Sequence, residues 1–155
     1  MSLEALNVGD RIRFTFPDDK ENPTIFWFNV LDERAYYSLS SKFAGFADSN
    51  GKRKESLTGE DVKKLLDASY DVVRFGLANW ENFSHNGIPI RFLTDTIADA
   101  FGDGRPRLAV SADTMQKIRV RGRQFFISEL ASAILSAQEI KESELKNSDS
   151  QSSST

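Results

Sequence analysis

The residues that could do chemistry are few. His85 is the only imidazole in the chain, it stands in the turn of "NWENFSHNGIPIRF" (79–92), and there is no cysteine. A histidine acting as acid or base needs a neighbour to orient its ring and a group to act on, and the pattern around Asn86-Gly87 supplies neither. A solvated turn accounts for it. The acidic pairs Asp18/Asp19 and Glu60/Asp61 fall in a proline-rich turn and at a helix start, where turn preference and the helix dipole already explain them. Metal ligation would need His-x-x-x-His, paired cysteines or an alternating Asp/Asn loop, and the sequence has none of these. The glycines of "GDGRPR" (102–107) lack the Lys-Ser or Lys-Thr and the preceding strand of a phosphate loop. The sequence therefore points to no catalytic residue, no cofactor and no metal, and away from an enzyme.

Two features suit nucleic acid: the aromatic run Phe26, Trp27, Phe28, and "KIRVRGR", in which Lys117, Arg119, Arg121 and Arg123 are interleaved with apolar residues. Aromatic platforms beside a basic groove bind single strands. Strand alternation, however, puts Phe26 and Phe28 under the helices and leaves only Trp27 exposed. On a helix the four basic residues share the broad polar side, so a solvated face is the preferred reading, with an acidic protein partner next. The net charge of −3 argues against a dedicated nucleic-acid binder. Trp27, Lys117, Arg119, Arg121 and Arg123 are the candidate contacts to a partner. The triplet Lys52, Arg53, Lys54 reads as a solvated loop.

Periodicity supplies the elements that must position these residues. "RIRFTF" (11–16) alternates, "PDDKENP" is turn chemistry, and "TIFWFNV" (24–30) is a second β-branched and aromatic run, which predicts a hairpin resting on helices. Asp32 caps a helix expected over Glu33 to Ala44. Thr58, with Asp61 beside the free amides, starts another that runs to about Phe75, with Val62, Leu65, Leu66, Tyr70, Val73 and Leu77 as its stripe. A short helix is expected from Thr94 to Phe101. A long one follows from Ser111 or Asp113 to about Ser136, striped by Met115, Ile118, Phe126, Leu130, Ile134 and Ala137. The fold class is α+β and mostly α: an N-terminal two-stranded β-hairpin packed on about four helices.

At 155 residues and 39% hydrophobic content the chain fits a single domain, 1–138. Residues 139–155 form a charged, Ser-rich tail with too little apolar content to offset the entropy of ordering, so it is expected to be largely disordered. No apolar run approaches the ~18 residues of a membrane span, and the first residues lack a signal-peptide layout. With no cysteine, the expectation is a protein kept inside the cell and away from membranes.

Asn86-Gly87 is the strongest short hairpin signal, since both central residues of a type I′ turn take positive φ. "WENFS" and "IPIRF" are expected to pair briefly around it, Pro89 confining the second arm to an edge. Trp80 would anchor this turn on the preceding helix, so the stretch is read as a fold element. A helix, then "W-E-N-F", a turn ending in Gly, then "I-P-I-R-F", resembles the signature of the tailed-phage tail assembly chaperone family, through Trp80, Gly87, Pro89 and Phe92. "FWFNVLDER" is similar to that family's N-terminal strand leading into a helix. The resemblance implies a non-enzymatic protein of the host cytoplasm that binds the tape measure protein, helps recruit tail tube protein, and is absent from the finished particle. A structural tail or connector component, or a single-strand nucleic-acid-binding accessory protein, are the alternatives. The oligomeric state is left open, a homo-oligomer included.

Overall fold

The computed structural model describes residues 9–43 and 58–139. The basic triplet 52–54, the expected end of the first helix at Ala44 and the tail 140–155 lie outside them. The architecture is α+β with helices predominating. Strand β1 (Arg11–Phe14) and strand β2 (Ile25–Asn29) form the expected antiparallel hairpin. Asp32 caps α1 (Glu33–Ser41), accepting from the Ala35 N–H at 2.9 Å. Thr58 caps α2 (Gly59–Gly76) in a reciprocal capping box with Asp61.

The hairpin is not alone. Strand β3 (Leu77–Glu81) pairs with the other edge of β2, giving a three-stranded antiparallel sheet in the order β1-β2-β3. Trp80 thus belongs to the main sheet and not to the local turn arm that the sequence predicts. A register shift explains why this strand is hard to see. Phe26 faces Trp80 and Trp27 faces Asn79, but Phe28 faces Leu77, so Ala78 is extra. The bulge restores the phase and lets Leu77 and Trp80, three residues apart, both enter the core. A spacing of three reads as helix in the sequence.

A small hairpin follows, β4 (Ser84–His85) with β5 (Ile88–Pro89), around Asn86 (φ 50) and Gly87 (φ 79). These positive values are what a type I′ turn requires. The expected helix from Thr94 to Phe101 is instead β6 (Thr94–Ile97), antiparallel to β7 (Arg107–Val110). The β-branched Thr94, Thr96 and Ile97 favour extended backbone. Asp99, Gly102 and Gly104, all at positive φ, turn the chain back, and the partner strand starts at the last residue of the "GDGRPR" spacer.

The long final helix is also corrected. Ser111 does cap a helix, but α3 (Ala112–Gln116) ends after five residues, and α4 begins only at 126 and is described to 139. Between them Gly122 (φ 81) sits in a tight turn in which the Arg123 N–H donates to the Val120 carbonyl at 3.0 Å. A glycine inside a helix costs about 1 kcal/mol relative to alanine, and Ile118 and Val120 on either side of Arg119 lower helix propensity further. Lys117, Arg119, Arg121 and Arg123 therefore lie on a folded loop and not on a helix face.

The core joins the sheet to the helices through Phe26, Phe28, Leu39, Val72, Val73, Leu77, Trp80, Val110, Met115, Ile118, Phe126, Leu130 and Ile134. Gly76 lets α2 meet α4: a Cβ there would come within 2.6 Å of Ile134 Cγ2. Gln138 closes the end of the sheet, its amide donating to the Asn29 carbonyl and its oxygen accepting from the Leu31 N–H. Among the described residues no helix is long and apolar enough to cross a membrane.

Candidate functional site

Two of the signature residues, Trp80 and Phe92, build a packing unit. Trp80 is 6% exposed, its ring meets Phe83 and Phe92 edge to face at 5.0 and 4.9 Å, and its indole N–H donates to the Ile90 carbonyl at 2.8 Å. The Ile90 N–H in turn donates to the Phe83 carbonyl at 2.9 Å. This clasp ties the chain after the β4-β5 hairpin back onto β3. Gly87 and Pro89 sit on the exposed hairpin, apart from the Trp80–Phe92 contact. His85 is exposed there, and its Nε2 lies 3.4 Å from the Asn86 side-chain amide, a contact that orients no base. Among the described residues no group of three or more His, Asp or Glu side chains is gathered closely enough to hold a metal ion.

Trp27 and the basic loop do not form one surface. Phe26 and Phe28 face the core, so alternation sends Trp27 to the opposite face of the sheet, beside Arg13 and Asn79. It is half-buried there, with its indole N–H donating to Glu81 Oε2 at 3.2 Å. This corrects the expectation of a freely exposed Trp27. Loop 117–125 lies instead on the core side, where Phe126 packs against Phe16 and Phe26.

The four basic residues split into two roles. Arg123 is structural: its guanidinium binds the Asp18 carboxylate and lies 4.9 Å from the Phe16 ring centroid. The hydrogen bond from Arg123 holds the Asp18 carboxyl below its ordinary range, and the same bond raises the arginine. Lys117, Arg119 and Arg121 are exposed, and their charged groups have no hydrogen-bond or ion-pair partner among the described residues. They make the 117–123 turn a basic ridge.

A cleft lies on each side of this ridge. One, about 440 Å³, has Phe16, Phe26, Phe83 and Phe126 in its floor and Arg119, Arg121, His85 and Asn86 on its walls. Those rings pack against one another, with Phe26 meeting Phe83 and Phe126 at 5.7 and 5.9 Å. Phe26, Phe83 and Phe126 are too buried to serve as stacking platforms for bases, and the half-buried Phe16 has the Arg123 guanidinium over its ring. The other is a groove between α2 and α4. A part of about 550 Å³ bordered by Leu66, Tyr70, Ile118, Arg119 and Phe125 continues into one of about 410 Å³ bordered by Val62, Leu65, Leu66 and Phe125. Phe125 is 52% exposed, and Leu66 and Tyr70 are each 38% exposed. The Ser128 hydroxyl, on the same wall, is buried without a partner among the described residues.

This groove was not assigned from the sequence, although its signal is there. Leu66 and Tyr70 belong to the α2 stripe, and the side of α2 that the core covers is carried by Ala68, Ser69, Val72, Val73 and Gly76. The stripe is wider than the core it meets, which leaves apolar side chains in solvent.

A second polar cluster also went unassigned. Asp32, while capping α1, accepts from Arg107 at 3.1 and 3.0 Å and from Arg105 at 3.0 Å, and Arg107 reaches Asp103 at 2.7 Å. Burial alone would raise the Asp32 carboxyl, but hydrogen bonds from Arg107 and the Ala35 N–H, with the charges of Arg107 and Arg105, hold it below its ordinary value. Asp103 is lowered chiefly by its Arg107 hydrogen bond, and Arg107 is raised chiefly by the one to Asp32. The cluster pins the 98–106 turn to the start of α1. Apart from Arg107 Nε, which is buried without a partner among the described residues, its charges are met by one another, which marks it as structural.

No protein-family model, no curated protein and no solved structure matches the chain.

Proposed function

We propose that this protein is a non-enzymatic tail assembly chaperone of a tailed phage, acting in the host cytoplasm. It holds the tape measure protein in a soluble state and helps recruit tail tube subunits. The observation that carries the reading is the unit from Trp80 to Phe92. The residues of the resemblance, Trp80, Gly87, Pro89 and Phe92, lie on one continuous strand, hairpin and clasp. The groove between α2 and α4 supports it, because a holding protein must offer apolar surface to a long helical client and many modest contacts keep that client releasable.

Co-expression with the tape measure protein of the same phage tests the reading. The client should gain solubility and co-purify, and mass spectrometry of mature particles should find this protein absent. A client that stays insoluble and uncaptured overturns the proposal. Abundance in finished tails would make the protein a structural component instead.

A further inference from the structure

We propose that the groove between α2 and α4 receives an amphipathic helix of the partner, and that this helix carries Asp or Glu on the flank facing Arg119. The inference rests on the chaperone reading for the identity of the partner, but the surface defines the chemistry. Leu66, Tyr70 and Phe125 expose large apolar side chains along one groove. From Val62 to Tyr70 its α2 wall rises eight residue steps, about 12 Å at ~1.5 Å per residue, which matches about two turns of a docked helix. One wall is α2 and the other is α4 with the 117–125 loop that precedes it, so an extended strand would find no free sheet edge to pair with, whereas a helix brings its backbone already satisfied.

Charge selects among such helices. Arg119 lines the groove and Arg121, two residues on, lines the cleft on the other side of the ridge; neither guanidinium has a partner among the described residues. Beside Arg119 a basic flank on the incoming helix would be repelled and an acidic one attracted, while the carboxylate at the far end of the groove, Glu129, lies 4.0 Å from Arg123. Two free arginines and a Lys117 are also too few for tight binding to a phosphate backbone, and the rings of the neighbouring cleft are covered. An acidic protein segment is therefore favoured over a nucleic acid.

The experiment titrates the isotope-labelled full chain with two synthetic amphipathic peptides of about 20 residues, long enough for a packed helix. They share one apolar face, and one is flanked by glutamate and the other by lysine. The glutamate peptide should shift the amides of residues 62–70 and 125–132 and bind about tenfold or more tighter than the lysine peptide. Arg119→Glu should abolish that preference, and Phe125→Ala should weaken both peptides while leaving the melting transition in place. Equal binding of the two peptides, shifts confined to other faces, or no binding overturns the proposal. So does concentration-dependent self-association through these residues, which would make a second copy the occupant, or oligonucleotide binding at physiological salt that is lost in Arg119→Glu. Co-expression separates the two readings. Capture of the tape measure protein by wild type and Phe125→Ala alike leaves the chaperone standing and removes the groove. Peptide binding in the groove without capture does the reverse.

Discussion

Trp80 reaches Ile90 across the β4-β5 hairpin, its indole N–H donating to the Ile90 carbonyl at 2.8 Å. One side chain thereby fills the core and satisfies a backbone acceptor on the far side of a turn. Trp80→Ala removes both and should cost about 3–5 kcal/mol. Trp80→Phe, which keeps an aromatic ring but not the donor, should cost less. Urea midpoints at neutral pH check this, and an unchanged Trp80→Ala midpoint would show that the clasp adds nothing to stability.

Gly76→Ala should destabilise, although alanine is the better helix former by about 1 kcal/mol. The added methyl would meet Ile134 Cγ2 at 2.6 Å, and Ile134 is fully buried. Overpacking of this kind costs about 1–3 kcal/mol. Ile134→Val keeps Cγ2 and should not relieve the contact, whereas in an Ile134→Ala background, which lacks that atom, Gly76→Ala should cost less than it does in the wild type. Melting curves of the single and double variants decide it.

Acid should loosen the turn held by Asp32. Asp32 and Asp103 titrate below their ordinary values when folded, so the unfolded chain binds more protons as pH falls through the carboxylate range. Their contribution is fully present above the unfolded values and drains as pH drops toward the lowered folded ones. Urea midpoints from pH about 7 to about 3 should fall, and Asp32→Asn should flatten the decline because it keeps a capping oxygen while removing the charge. An equally steep decline in that variant would place the acid sensitivity elsewhere.

Binding to single-stranded DNA should be weak and strongly salt-dependent. Lys117, Arg119 and Arg121 can neutralise three phosphates at most, so the slope of log K against log salt should not exceed about 2, at ~0.7 per phosphate. Fluorescence anisotropy across a salt series measures it. A steeper slope that collapses in Arg119→Gln with Arg121→Gln would reveal a genuine nucleic-acid groove.

The parts of this fold legible in the sequence are those whose signals are local. The caps at Asp32 and Thr58, the alternation of the first two strands and the positive-φ pair Asn86-Gly87 each declare themselves within a few residues. What was misread depends on partners distant in the chain. β6 pairs with a strand inside a Gly- and Arg-rich segment, β3 hides its phase behind Ala78, and the stripe continued past Gln116 because Ile118 and Phe126 are buried from different elements. The basic residues Lys117 to Arg123 stand on a loop where the spacing predicts a helix face. Arg123 could be separated from Arg119 and Arg121 only once Asp18, 105 residues away in the chain, was placed beside it.

Strand β2 lies at the centre of its sheet, but its second neighbour β3 begins directly after the final residue of α2. During synthesis the aromatic strand Ile25–Asn29 therefore waits with one edge open until residue 81 has emerged and α2 can set β3 in place. An unpaired aromatic edge is a template for association with other chains. Truncations ending before Leu77 should aggregate where the full chain does not. For a protein proposed to keep another soluble, the most hazardous interval is its own birth.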